Sequence, residues 1–116
     1  MFLGLEHTKL DVFKVTREFV LACYQLPISF PIEEKFGMIS QVRRAALSVH
    51  LNLAEGCSRK SESGRKRFYE IARGSIIEID TALDIAIELG SVTKQQSQGL
   101  GDLMIRSFQM ISKMIS

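Results

Sequence analysis

The sequence predicts an all-α chain: one domain, residues 1–116, folded as an antiparallel up-down-up-down four-helix bundle. Three observations carry this. Both prolines, Pro27 and Pro31, precede residue 32, so the rest of the chain is nearly free of helix breakers. Apolar residues then recur at steps of three and four in four separate segments. The connections between those segments are short, which makes consecutive helices antiparallel neighbours. With 116 residues, 46% apolar and 24% charged, the chain has enough material for one core and the balance of a globular protein.

The first helix is predicted over 11–26. Asp11 is its N-cap, Val12, Val15, Phe19 and Ala22 form its stripe, and Val20 and Cys23 lie beside them. Pro27 and Pro31 break the chain in a partly apolar connector. The second helix is predicted over 33–55, from Glu33 to Glu55, along the seam Ile39, Val42, Ala46, Val49, Leu53, with Gly56 as its left-handed stop. A polar, basic loop follows from Cys57 to Ser63. The third helix is predicted over 65–89, with Gly90 as its stop. Phe68, Ala72, Ile79, Leu83 and Ala86 form its stripe, widened by Ile71, Ile76, Ile87 and Leu89. The fourth, 94–115, starts after Thr93 as N-cap. Leu100, Leu103, Met104, Ile111, Met114 and Ile115 face inward, with Phe108 and Met110 nearby.

Several function classes find no support. No apolar run approaches the ~18 residues of a membrane span. Met1 to Lys14 lacks a basic region followed by an apolar one, so no signal peptide is expected and the location expected is the cytoplasm. Cys23 and Cys57 read as free thiols in a reducing compartment, and His7 and His50 offer no metal-ligand spacing. No cofactor or metal is expected. Phosphate-binding glycine loops, nucleophile elbows and clustered carboxylate pairs are missing from the pattern. Asp80, Asp84 and Glu88 read as a solvated helix face. Arg44 and His50 match the arginine–histidine pair of HEPN-type ribonucleases in residue type alone, because a spacing of six turns them about 240° apart on a helix. The expectation is a protein that is not an enzyme.

Charge is the strongest local signal. Arg59, Lys60, Arg65, Lys66 and Arg67 give five cations between residues 59 and 67, against Glu62 alone. Residues 74–93 carry Glu78, Asp80, Asp84 and Glu88 and no Lys or Arg. A basic cluster at a loop and first helical turn can grip phosphates. The same residues also read as an ion-paired surface, or as a basic end that docks a neighbour's acidic flank. Cations at a helix N-terminus oppose the macrodipole, so local stability gives no reason for them. Glu78 is the predicted ion-pair partner of Arg43 or Arg44 across the second and third helices. Glu55 is expected to pair with Arg59 or the 65–67 run, and Asn52 to bond a neighbouring helix's backbone.

The segment Phe36-Gly37-Met38-Ile39-Ser40-Gln41-Val42-Arg43-Arg44-Ala45-Ala46-Leu47-Ser48-Val49, then Asn52-Leu53-Ala54-Glu55-Gly56, Arg59, Phe68-Tyr69-Glu70-Ile71-Ala72-Arg73-Gly74-Ser75 and Glu78, resembles a known family. It is similar to the bacterial four-helix-bundle proteins of open reading frames in rRNA intervening sequences, which the accessory proteins of diversity-generating retroelements also resemble. The resemblance runs from about Leu10 to Val92. It implies a bundle that assembles into a ring, typically a homopentamer, with RNA or DNA as ligand and no catalysis. Retroelement relatives imply a nucleic-acid enzyme, such as a reverse transcriptase, as a further partner. Two positions depart from the family pattern. His50 stands where a proline is expected, which implies a straighter second helix. Gly64 stands where a helix former is expected, which implies a later start to the third.

Overall fold

The computed structural model describes residues 1–28 and 35–116, and its regular elements among them are all helical. A 3-10 turn, Glu6–Lys9, leads into α1 (Asp11–Gln25). A π-type turn, Lys35–Ile39, leads into α2 (Ser40–Ser58), followed by α3 (Glu62–Glu88) and α4 (Gln98–Ile115). Each helix packs on its neighbours in the chain, and α4 closes back onto α1. Side-chain bonds fix the directions. Thr16 meets His50 between α1 and α2, Ser48 meets Ser75 between α2 and α3, and Arg73 meets Ser112 between α3 and α4. Further contacts make the numbers rise along one helix as they fall along the next: Tyr24–Arg43 joins α1 to α2, and Gln41–Glu78 and Cys57–Tyr69 join α2 to α3. On α3 and α4, where Arg73 meets Ser112, Asp84 shares a groove with Gln98, so consecutive helices are antiparallel.

The core lies on the predicted stripes. Phe19, Val49, Leu53, Ile79 and Ile111 are fully buried, each at a step of three or four from other buried residues of its helix. The edges of the stripes differ from expectation. Phe13 and Thr16, outside the stripe predicted for α1, are buried. Ile71 and Leu89, expected to widen the inner face of α3, are exposed. An apolar face of ~100° suffices where a helix touches two neighbours in a square bundle, and these two side chains fall beyond it.

Several helix ends also differ, for identifiable reasons. Asp11 is the first residue of α1 and Leu10 occupies the cap position with no side-chain cap, so the Asp11 carboxylate serves the helix dipole instead. The predicted start at Glu33 falls in 29–34, outside the described residues. Gly56 does not stop α2, which runs on to Ser58. A Cβ at Gly56 would sit 2.5 Å from Cε1 of Tyr69, so glycine is there to let α3 approach. Gly64 does not delay α3. Ser61 caps that helix, its Oγ accepting from the Gly64 N–H at 3.0 Å, and a Cβ at Gly64 would lie 2.8 Å from that oxygen. His50 lies inside an unbroken α2.

α3 does end at Gly90. Its φ is +77°, and the Gly90 N–H reaches the Ile87 carbonyl at 3.0 Å while the Ser91 N–H reaches that of Ala86 at 2.9 Å, a complete Schellman arrangement. Thr93 does not cap α4, whose cap position is Ser97 with no side-chain cap. It closes the preceding turn instead: its Oγ1 accepts from the Gln96 N–H at 3.0 Å, and Gln96 Oε1 accepts from the Thr93 N–H at 2.9 Å. Residues 94–97 form only a turn. The Gln98 N–H bonds the Gln95 carbonyl, three residues back, so the regular helix begins at Gln98.

Candidate nucleic-acid interface

Three residues, Arg59 to Ser61, connect α2 to α3 and form a tight helical hairpin at one end of the molecule. The five predicted cations gather there, and the structure uses them differently. Arg65 is structural: its Nη1 donates to the carbonyls of Lys60 at 2.7 Å and Arg59 at 3.3 Å, closing the turn. Arg59 lies over the Phe68 ring, 4.7 Å from the centroid, and its Nη2 pairs with Glu55 Oε2 at 3.0 Å. Glu55 therefore takes Arg59 as partner and not the 65–67 run. Lys66 pairs with Glu62 at 3.3 Å. Lys60 and Arg67 are exposed and make no ion pair among the described residues.

All three described ion pairs are solvent-exposed, so each contributes at most about 1 kcal/mol. Arg59 and Lys66 can thus exchange their carboxylates for a ligand's phosphates at little cost. No fully exposed aromatic ring accompanies them among the described residues. Tyr69, the one nearby aromatic that the sequence leaves open as an exposed ring, is 5% exposed. It packs against Gly56, and its hydroxyl donates to Cys57 Sγ at 3.7 Å. Burial first, and then Cys57, pushes the Tyr69 phenol up to about 12. Among the described residues, this end offers exposed cations for a backbone, and its one half-buried ring, Phe68, already carries the Arg59 guanidinium.

The predicted pairing of Arg43 or Arg44 with Glu78 does not occur. Gln41 Nε2 donates to Glu78 Oε1 at 2.8 Å and takes the place expected for an arginine. Arg43 turns the other way, donating to the Tyr24 carbonyl at 3.2 Å with its guanidinium 5.3 Å from the Tyr24 ring centroid. Arg44 is exposed and has no ion pair among the described residues. Each residue along a helix turns it by about 100°, so two steps carry the chain from Gln41, on the α3 side of α2, to Arg43, on the α1 side. Asn52 is likewise polar structure, but on its own helix: its Nδ2 donates to the Ser48 carbonyl at 2.8 Å and to Ser48 Oγ at 3.0 Å. Ser48 in turn meets Ser75 Oγ at 2.9 Å, which carries the link over to α3.

A second polar cluster is not visible in the sequence pattern. His50 Nδ1 lies 2.9 Å from Thr16 Oγ1, its ring 4.2 Å from that of Phe13, and His7 closes on the Phe13 ring at 5.1 Å. Burial, then the Arg17 charge and His7, hold the His50 imidazole below its ordinary 6.5. The one signal for it is that Thr16 and His50 both fall beside apolar stripes at helical spacing. The acidic face is as expected, with Asp80, Asp84 and Glu88 exposed along the far half of α3. No group of His, Cys, Asp and Glu that would hold a metal ion occurs among the described residues. No helix among them is long and apolar enough to cross a membrane. Burial pushes the Cys23 thiol up to about 12. A family model described as 23S rRNA-intervening sequence protein matches residues 8–114. No curated protein matches the chain.

Proposed function

The chain belongs to the 23S rRNA-intervening sequence protein family, and from that premise we propose that it is a homo-oligomeric helical bundle that binds nucleic acid through phosphate contacts and catalyses no reaction. The observation that carries the reading is the hairpin end. Lys60 and Arg67 project there free of ion pairs among the described residues, beside Arg59, Arg65 and Lys66. Phosphate binding asks for little more than such a concentration of donors. Because no fully exposed ring stands beside them among the described residues, with half-buried Phe68 covered by Arg59, RNA or DNA is bound by its backbone and without sequence preference. One copy presents few contacts. A ring of five, which the family resemblance favours, repeats the patch around an axis and multiplies its hold by avidity. The setting is the cytoplasm, and a nucleic-acid enzyme is a natural further partner.

The exposed apolar residues support assembly. Ile77 (52% exposed), Ile105 (57%) and Phe108 (37%) face outward on α3 and α4, and Phe2 and Leu3 are uncovered at the N-terminus. A rival reading draws on the carboxylates already beside Arg59 and Lys66. In that reading the same end docks an acidic protein and the chain is an interaction scaffold. Binding of duplex and single-stranded RNA and DNA at ~50 mM salt, with light scattering in parallel, tests the proposal. Binding to several sequences by an oligomer is expected. An oligomer that binds none of them would favour the scaffold, and a monomer at micromolar concentration would contradict assembly.

A further inference from the structure

The α1/α2 side of the bundle carries an outward stripe besides the core. Leu10, Lys14, Arg17, Leu21 and Tyr24 recur at steps of four and three along α1 and its cap position, and all five are exposed. On α2, Arg43, Arg44, Leu47 and Leu51 are exposed at helical spacing. Two contacts set the register of these facing helices. Thr16 meets His50 at 2.9 Å, and Arg43 donates to the Tyr24 carbonyl at 3.2 Å with its guanidinium over the Tyr24 ring. Continued along the antiparallel pair, that register brings Leu21 level with Leu47, and Lys14 level with Leu51. Arg17 stands beside His50, whose imidazole is held below its ordinary value by burial first and then by that guanidinium. The groove between α1 and α2 therefore has Leu21 and Leu47 at its middle, Lys14 and Arg17 towards one end, and Arg43 and Arg44 at the other. None of the four cations makes an ion pair among the described residues, whereas Glu55 and Glu62 hold Arg59 and Lys66 at the hairpin. Asp11 and Glu18 border the α1 stripe on its far side from α2, and Glu55, one turn beyond Leu51, is engaged by Arg59.

We propose that this groove is the docking site for an acidic amphipathic helix of another protein, laid between α1 and α2 as a fifth helix. From Leu10 to Tyr24 the stripe spans about 21 Å at 1.5 Å per residue, room for a partner helix of about four turns. That helix presents apolar side chains at i, i+3 or i+4, and i+7 to the leucines, and Asp or Glu on its flanks to the cations. The charge on the groove sets the partner's sign, since like charges brought together there would be costly and carboxylates find four unpaired cations. Nucleic acid would satisfy the cations alone and leave Leu10, Leu21, Leu47 and Leu51 in water, whereas a helix covers both. Arg43 is already fixed by the Tyr24 carbonyl and ring, so little side-chain freedom is lost when a carboxylate meets it. The site is separate from the hairpin end: Lys60 and Arg67 take no part in it and stay available for phosphate.

The probe is a fluorescent synthetic peptide of about four helical turns, with leucines at helical spacing and glutamates on both flanks. Its control carries glutamine in place of every glutamate. Anisotropy at ~0.15 M salt should show the chain binding the acidic peptide, and the control roughly tenfold more weakly or not at all. Arg17→Glu with Arg43→Glu should weaken the acidic peptide roughly tenfold or more. Lys60→Ala with Arg67→Ala should leave it unchanged. If circular dichroism shows the charge-reversed variant unfolded, Leu21→Ser with Leu47→Ser, both exposed positions, should give the same loss. No binding of the acidic peptide, or binding that only the Lys60 and Arg67 substitutions weaken, would overturn the proposal. Duplex DNA is titrated alongside. If Arg17→Glu with Arg43→Glu removes DNA binding and leaves peptide binding as it was, the groove is a nucleic-acid surface and the proposal is likewise overturned.

Discussion

Gly56 and Tyr69 meet where α2 and α3 come closest, and no residue larger than glycine fits beside that ring. Gly56→Ala pushes a methyl into a buried phenol held in place by Cys57, so it should lower stability by about 1–3 kcal/mol in denaturant titration. Gly99→Ala, in the first turn of α4 with nothing within 4 Å of the new methyl, should be neutral or stabilise by up to ~1 kcal/mol. Equal effects at the two positions would contradict the close-approach role of Gly56. His50 makes a pH-dependent prediction. Its folded-state pKa lies below 6.5, so the neutral ring is favoured by folding. Its contribution is complete above pH 6.5 and is lost as pH falls from there towards the folded value. The wild-type denaturation midpoint should therefore drop on acidification through that range more than that of His50→Gln, and parallel curves would argue against the assignment. Neither residue is legible in full from the sequence. A glycine after a long helix reads as a stop, and only the packed partner shows it to be a close approach.

The helices themselves are legible because apolar periodicity is a property of each segment alone, as the limits of α1 and the Schellman stop at Gly90 illustrate. What the sequence hides is cross-helix pairing. Gln41 and Arg43 differ by two residues, and which of them reaches Glu78 depends on the rotation of α2 about its axis. That rotation is set by packing on α1 and α3 together. The start of α3 is hidden in another way, since Ser61 is one of several serines in that loop and only geometry shows which one caps. Ser61→Ala should cost about 1 kcal/mol, because it removes the one side-chain acceptor for the first-turn N–H groups of α3. Chemical denaturation reads this directly. A loss below a few tenths of a kcal/mol would mean that water serves that turn equally well.

At the scale of the molecule, α3 is the spine. Its 27 residues reach about 40 Å at 1.5 Å per residue, close to the 45 Å long axis, so one helix carries the basic hairpin at one end and acidic groups at the other. The gathering of five cations at that hairpin is legible from spacing. Their division of labour is not, because it depends on which carbonyls and carboxylates the turn brings within reach. Arg65 closes the turn, whereas Lys60 and Arg67 project freely. The phosphate-binding proposal therefore predicts unequal roles within the cluster, and the salt dependence of nucleic-acid affinity measures them most directly. For duplex binding, log affinity should fall linearly with log salt. Lys60→Ala with Arg67→Ala should flatten the slope by about 1.8 per engaged chain, at about 0.9 for each lost phosphate contact, with all sequences weakened alike and the fold intact. An unchanged slope and affinity in the double variant would contradict the assignment of the hairpin end as the phosphate-binding surface.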